Sequence, residues 1–327
     1  MHSEGLQCAF KGSSGHGCNE LPEQGSEFCF WHCPDIDKSG MDLRERLENR
    51  ARTGRPMEGF LLKGANLENV NLVNRGGKPF QLVEADLNRA NLYRAHLYQV
   101  NLSRCNLLKA NLGGANLHFT DLTDCNLLGV NFKSARLDEV CWGTHLLQER
   151  QAYKKLCNGQ TEAARPLFEE AEEVARNIRR SCENQGLFAI AGDFFYREMV
   201  IRRQSYPEWS YDRILSTLVD VISGYGEKPR RVISFAAGLI FLFSFIYLLF
   251  GVQEGGRLIQ YSSDQSLLVN ARTWLDTLYY SVVTFTTLGY GDITPIGISR
   301  LFAALEAFTG SFSMALFVVV FVKKMTR

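Results

Sequence analysis

Seven consecutive residues near the C-terminal end, Thr286, Thr287, Leu288, Gly289, Tyr290, Gly291 and Asp292, place two glycines at alternate positions behind a pair of threonines. Backbone carbonyls can replace a cation's hydration shell when successive residues turn their oxygens toward one axis, which demands a nearly extended and strained chain. Gly289 and Gly291 can take positive φ without steric cost, and Leu288 and Tyr290 are expected to turn their side chains outward and wedge the loop from behind. The carbonyls of Thr287, Leu288, Gly289 and Tyr290, with the Thr287 hydroxyl, then form the ligand set. Gly291 completes the loop and Asp292 sits at its outer mouth. A second Gly-Tyr-Gly, at Gly224, Tyr225 and Gly226, does not lie between apolar spans and is read as a turn.

A different chemistry is written near the N-terminus. Cys8, Cys18, Cys29, His32 and Cys33 crowd a segment, residues 1–34, that is too short to build a core. Zinc takes four nitrogen or sulfur ligands in a tetrahedron, and Cys8, Cys18, Cys29 and His32 could supply them; binding would then fold the segment. Cys33 and His16 are rival ligands, and the alternative is a cysteine-bearing tail without structure of its own. The run Cys29, Trp31, His32 resembles the end of small bacterial zinc-binding modules. Nine cysteines are an odd number, and in a reducing compartment they are thiols or metal ligands rather than disulfides.

At 327 residues the chain calls for two or three domains. Its net charge of +1 gives no reason to expect a nucleic-acid partner. The mean hydropathy of −0.13 averages a polar first two-thirds with an apolar last third. The polar opening residues predict no signal peptide and a cytosolic N-terminus. Residues 35–59 read as a charged connector with a short helix over 42–52.

From residue 60 the sequence acquires a period of five. Stepping from Leu62 to Trp142 gives seventeen positions holding fourteen Leu, one Phe, one Trp and one Gly, the last at Gly77. Two residues before most of them stands a small residue, such as Ala85, Ala95, Cys105, Thr120 or Cys125. Neither a helix nor an ordinary strand has this period, so the segment is an internal repeat. The pattern resembles the pentapeptide-repeat family, which implies a right-handed quadrilateral β-helix over residues 60–142, with four repeats per coil, large residues inside and small ones at the corners. Just over four coils at about 4.8 Å each make a rod of roughly 20 Å. Cys105 and Cys125 fall in the small inward slot and read as buried hydrophobes. The stretch around Gly76, Gly77 and Pro79 breaks the motif but keeps its phase, which predicts a bulging corner. Nine Lys/Arg face seven Asp/Glu between Leu62 and Trp142, so an acidic DNA mimic is not supported and a docking surface is the better reading.

Beyond Trp142 the apolar spacing turns helical, with an antiparallel hairpin expected over 143–204 that packs as a cap on the β-helix end and relays to the membrane. The run Ala191, Gly192, Asp193 through Met199 is similar to a segment of bacterial pentapeptide proteins fused to membrane helices. Residues 205–228 predict an amphipathic helix lying along a membrane interface, with Ile214, Leu215, Leu218, Val219, Val221 and Ile222 on one side. Residues 232–252 contain no charge and span about 31 Å as a helix. Residues 301–322 form a second span interrupted only by Glu306. Lys228, Arg230 and Arg231 precede the first span and Lys323, Lys324 and Arg327 follow the second, which places both flanks in the cytosol.

Between the spans, residues 270–285 read as a short helix with Trp274, Leu278, Tyr279 and Val282 spaced for packing, and residues 286–292 as the loop that follows it. This arrangement over residues 229–327 resembles the pore domain of bacterial two-transmembrane potassium channels, whose usual filter has Val where this chain has Leu288. The resemblance implies K+ as the permeant ion and four copies around one axis. Tyr279 and Tyr280 match an aromatic cuff, and Gly310 matches an inner-helix hinge, with packing against a neighbouring subunit as its other role. Val283 stands where some members carry a glutamate paired with the filter aspartate. Glu306 is a carboxylate in a bilayer, costly unless buried in protein, where it bonds behind the pore helix or faces water.

The sequence therefore predicts a multidomain protein of the inner cell membrane with both termini cytoplasmic: a β-helix and helical hairpin followed by an all-α pore. Its expected activity is that of a homotetrameric, potassium-selective channel without voltage sensing, controlled through cytosolic domains by a ligand, metal or partner protein. The rival is a non-conducting, membrane-tethered scaffold. No constellation of acids, bases and nucleophiles points to an enzyme.

Overall fold

A computed structural model describes residues 7–13, 15, 17–74 and 76–326. The rival ligand His16 lies outside them, as does Arg327 of the basic flank. The chain divides into two compact units, Met1–Glu208 and Trp209–Arg327.

The first unit is built on the five-residue repeat. Each pentapeptide makes one bridge and one tight turn, and the turn ends on a left-handed residue: Gly64, Asn69, Glu84, Arg89, Arg94, Gln99, and onward at the same spacing to Glu139. A left-handed non-glycine residue costs roughly 1–2 kcal/mol, whereas burying a Leu side chain contributes roughly 1.5–3 kcal/mol. The inward residue therefore outweighs the strained corner that aims it. Every inward position from Leu62 to Trp142 except Gly77 is at most 9% exposed. The small slot is filled as the period requires: Cys105 donates to the Leu82 carbonyl (2.9 Å) and Thr120 to the Leu97 carbonyl (2.7 Å). Burial pushes the Cys105 thiol up to about 12, as suits a buried small residue.

The coil length is not uniform. Leu61, Asn66 and Asn71 pair with Asp86, Asn91 and His96, 25 residues on, whereas from Gln81↔Asn101 onward the pairing is 20 residues apart. The difference is one pentapeptide, which is why the phase survives. Gly77, assigned by its phase to the interior, is exposed in that bulge, so sixteen of the seventeen periodic positions point inward.

Both ends of the coil stack are covered. Helix α1 (Arg44–Arg52) and its flanks, within the stretch read as a charged connector, bury Leu43, Leu47, Ala51 and Met57 in the same core. At the other end stand three helices, α2 (Leu147–Cys157), α3 (Thr161–Glu183) and α4 (Phe188–Ser205). The Trp142 ring meets Phe132 and Phe194 edge-on at 5.9 and 5.5 Å. Gln148 donates to Asn126 (2.8 Å), the last rung of an amide ladder that runs through Asn106 to Asp86. Within the run similar to other pentapeptide proteins, Arg197 reaches Glu149 of α2 (2.7 Å) and buried Glu198 takes Arg176 and Arg179 of α3. Those two charged residues thus fasten the three helices to one another.

The second unit begins with α5 (Tyr211–Ser223), capped by Ser210, whose hydroxyl accepts from the Arg213 amide, and closed by left-handed Gly224. Its Ile214, Leu218 and Val221 are exposed, while Asp220 is buried against Arg231. Helices α6 (Pro229–Phe250) and α8 (Ser299–Met325) are long and apolar enough to cross a bilayer. Lys323 reaches Glu227 at 2.5 Å, so the basic flanks of the two helices lie at the same end of the pair. At the opposite end a small antiparallel sheet, in the order β2 (Arg257–Ile259), β1 (Val252–Glu254), β3 (Ile293–Pro295), ties the loops. Ser299 fixes the helix ends by donating to the Gly251 carbonyl (2.7 Å). Helix α7 (Leu267–Phe285) packs between α6 and α8.

Candidate functional site: a glycine loop and a cysteine–histidine cluster

Helix α7 ends at Phe285, and Thr286 closes its last turn through hydrogen bonds from its hydroxyl to the Val282 and Val283 carbonyls. Beyond it φ is +57° at Thr287, +59° at Gly289 and +78° at Gly291, with neither Leu288 nor Tyr290 in the positive region. Such alternation in sign is the backbone condition for turning successive carbonyls to one side, and glycine carries two of the three positive positions at no steric cost. Leu288 and Tyr290 are 59% and 67% exposed, so the chain's own helices do not cover the side chains expected to wedge the loop. Asp292 accepts a hydrogen bond from the Tyr279 hydroxyl (2.9 Å). Tyr279, read as part of a cuff, thus holds the mouth of its own loop.

The packing face of α7 differs from the one its spacing singled out. Thr277, Tyr280, Ser281, Val283 and Phe285 are buried, while Tyr279 and Val282 are exposed. Of the expected set, Trp274 does pack inward, stacking near Phe245 and donating to Ser244 (3.2 Å). A helix apolar on two sides gives no signal for which side meets its own chain.

Glu306 is fully buried and bonded behind α7: Tyr247 of α6 donates to one carboxyl oxygen (2.6 Å) and Ser281 of α7 to the other. One turn further on, Gly310 lies so close to α7 that a Cβ there would stand 2.1 Å from the Phe285 carbonyl oxygen. The close packing of Gly310 is therefore within its own chain. Sequence reasoning flagged Glu306 but not its partners, although a Tyr and a Ser in otherwise apolar helices were the available signal.

In the first unit, Cys8, Cys18, Cys29 and His32 are buried, with their ligand atoms all within 4.8 Å of one another. Cys18 and Cys29 sulfurs are 3.7 Å apart, and His32 Nδ1 lies 3.6 Å from Cys8 and 3.3 Å from Cys29. Two sulfurs each about 2.3 Å from a tetrahedral centre would stand about 3.8 Å apart, so the four atoms fit one zinc ion. His32 Nε2 donates to the Glu58 carbonyl (2.8 Å), which leaves Nδ1 free as a ligand. Burial lowers the His32 pKa and pushes the Cys29 thiol up to about 12. Cys33 is not part of the cluster, since its thiol faces Ser26 at 3.5 Å. Phe10 stacks on His32 at 3.9 Å and Trp31 on Phe60 at 4.7 Å, which joins the cluster to the first coil.

Comparison with known proteins separates the two units. Residues 235–327 match the family model described as ion channel, and residues 81–107 and 110–141 match eight copies of the pentapeptide-repeat model. Protein LctB of Geobacillus stearothermophilus is 39% identical over 69 residues, and its counterpart in Bacillus caldotenax 38%. Each alignment covers 21% of this chain, which spans about half the length of these relatives. Among solved structures, the pentapeptide repeat protein Rfr23 of Cyanothece 51142 is 34% identical, with TM-score 0.22, covering 26% of this chain and 57% of that one. The pentapeptide repeat protein alr5209 of Nostoc Pcc 7120 is 32% identical, with TM-score 0.26, covering 31% and 79%. The five-residue ladder of the first unit agrees with the pentapeptide-repeat match, and the two long apolar helices and glycine loop of the second unit agree with the ion-channel match over residues 235–327.

Proposed function

We propose that the protein is a potassium-selective channel in which four copies each contribute one filter loop. The observation that carries this reading is the alternating φ at Thr287, Gly289 and Gly291, placed at the C-terminal end of α7 between two apolar helices. One chain supplies one strand of carbonyls, and a closed ring of ligands needs several. The uncovered Leu288 and Tyr290 are consistent with that need. The negative end of α7 leads into the loop, where its dipole favours a cation. The basic residues shared by the end of α8 and the start of α6 favour cytoplasmic termini, and the apolar side of α5 favours a helix lying in the membrane interface.

Zinc at Cys8, Cys18, Cys29 and His32 belongs to the same reading, as a structural ion that folds the N-terminal segment onto the first coil. The β-helix and its helical cap are the elements through which a cytosolic ligand or protein acts on opening. Flux from proteoliposomes tests the core of this proposal. Rubidium should pass far faster than sodium, and the Gly289→Ala protein should lose that preference. Equal passage of both ions, or a monomer in lipid, would leave a membrane-anchored repeat scaffold.

A further inference from the structure

We infer that Glu306 is a positioning residue for the filter, because it bridges all three helices of the ion-channel domain at a point fixed by a second contact one turn away. This inference rests on the channel reading and adds the part of the chain that holds the loop in shape. The Glu306 carboxyl spans α6 and α7, taking the Tyr247 hydroxyl on one oxygen and the Ser281 hydroxyl on the other. The same Ser281 hydroxyl, with one proton to give, also lies 2.9 Å from the Ile240 carbonyl of α6, so the two acceptors share it. All three side chains, Tyr247, Ser281 and Glu306, are 0% exposed within a single chain, so the bridge needs no second copy to be complete.

The second contact has the same spacing on both helices. Glu306 and Gly310 are four residues apart on α8, as Ser281 and Phe285 are on α7, so each pair lies on one face a turn apart. Ser281 bonds to Glu306, and Phe285 presents its carbonyl where Gly310 has no side chain. The two rungs end at Phe285, and the filter sequence starts at Thr286. A shift of α8 is thereby passed to the residue that precedes the first filter threonine. The bridge asks for a planar group with two terminal polar atoms rather than for a charge, since both of its partners are neutral hydroxyls.

Three variants of the full-length protein test this: Glu306→Gln, Glu306→Ala and Ser281→Ala. Gln keeps both terminal atoms, and its rubidium-over-sodium preference should stay near that of the unaltered protein. Ala leaves the buried Tyr247 hydroxyl without its acceptor and Ser281 tied only to the Ile240 carbonyl of α6, and should cost about tenfold in that preference, the factor expected for losing a buried hydrogen bond. Ser281→Ala should reduce the preference on its own but add little in the Glu306→Ala background, as for groups acting through one another. Hydrogen exchange supplies a readout that does not depend on conduction: amides at the end of α7 should exchange about tenfold faster in Glu306→Ala and not in Glu306→Gln. An Ala variant with unchanged selectivity and exchange overturns the inference, and so does a Gln variant as impaired as Ala. If the unaltered protein passes no ions while the exchange pattern holds, the channel reading fails and the bridging role of Glu306 stands.

Discussion

The two units of this chain bury their apolar residues in opposite ways. The β-helix completes its core with its own repeats: the inward Leu side chains of successive coils form one buried cluster, and residues of α1 and of α2 to α4 join it at the two ends. The ion-channel domain leaves Leu301, Leu305, Phe308, Phe312 and Val319 of α8 exposed, along with Leu288 and Tyr290 of the loop. A repeat stack is stabilised by nearest neighbours and needs nothing beyond them. A carbonyl ring is incomplete in one chain. The same sequence therefore encodes one body that covers its own apolar core and one that leaves an apolar surface open, as the proposed tetramer in a bilayer requires.

That contrast is most directly broken at the loop. Tyr290→Ala or Gly289→Ala should abolish selective flux altogether, while the melting of the first unit, followed by its circular dichroism, stays unchanged. Next in size is the metal. Chelation, or Cys29→Ala, should remove one equivalent of zinc by elemental analysis and open residues 8–33 to proteolysis, because a segment this short has little core of its own. Leu97→Ala, in the middle of the stack, should destabilise the first unit by about 2–5 kcal/mol through lost burial and a cavity, measured by denaturant unfolding, with ion selectivity intact. The smallest effect is sought at the cap: Gln148→Ala removes one hydrogen bond from the end of the amide ladder and should cost about 1 kcal/mol. A larger loss there would mean that the helical cap, rather than the repeats, holds the stack together.

Much of this was legible in the residues. The period of five fixed which side chains turn inward, since a repeat this strict leaves one backbone solution per pentapeptide. The bulge was visible as a broken motif with preserved phase, but not that Gly77 leaves the interior, because phase alone does not say which five residues are extra. Cys8, Cys18, Cys29 and His32 were singled out by donor chemistry. Discarding Cys33 needed the fold, in which Cys29 and His32 face inward from one turn and the next thiol faces Ser26. The helices after Trp142 and their place as a cap were legible from spacing and order, while the contacts that make the cap, Trp142 on Phe194 and Gln148 on Asn126, needed the fold.

In the second unit the sequence by itself determined the two long apolar helices, the glycine loop and the presence of a carboxylate within an apolar helix, because length, charge and positive φ are local properties of the chain. Only the tertiary structure decided what that carboxylate touches, which face of α7 meets its own helices, and that Gly310 is pressed against Phe285. Those outcomes depend on how three apolar helices rotate about their axes, and an apolar surface that fits a partner on every side carries no mark of the one it will meet.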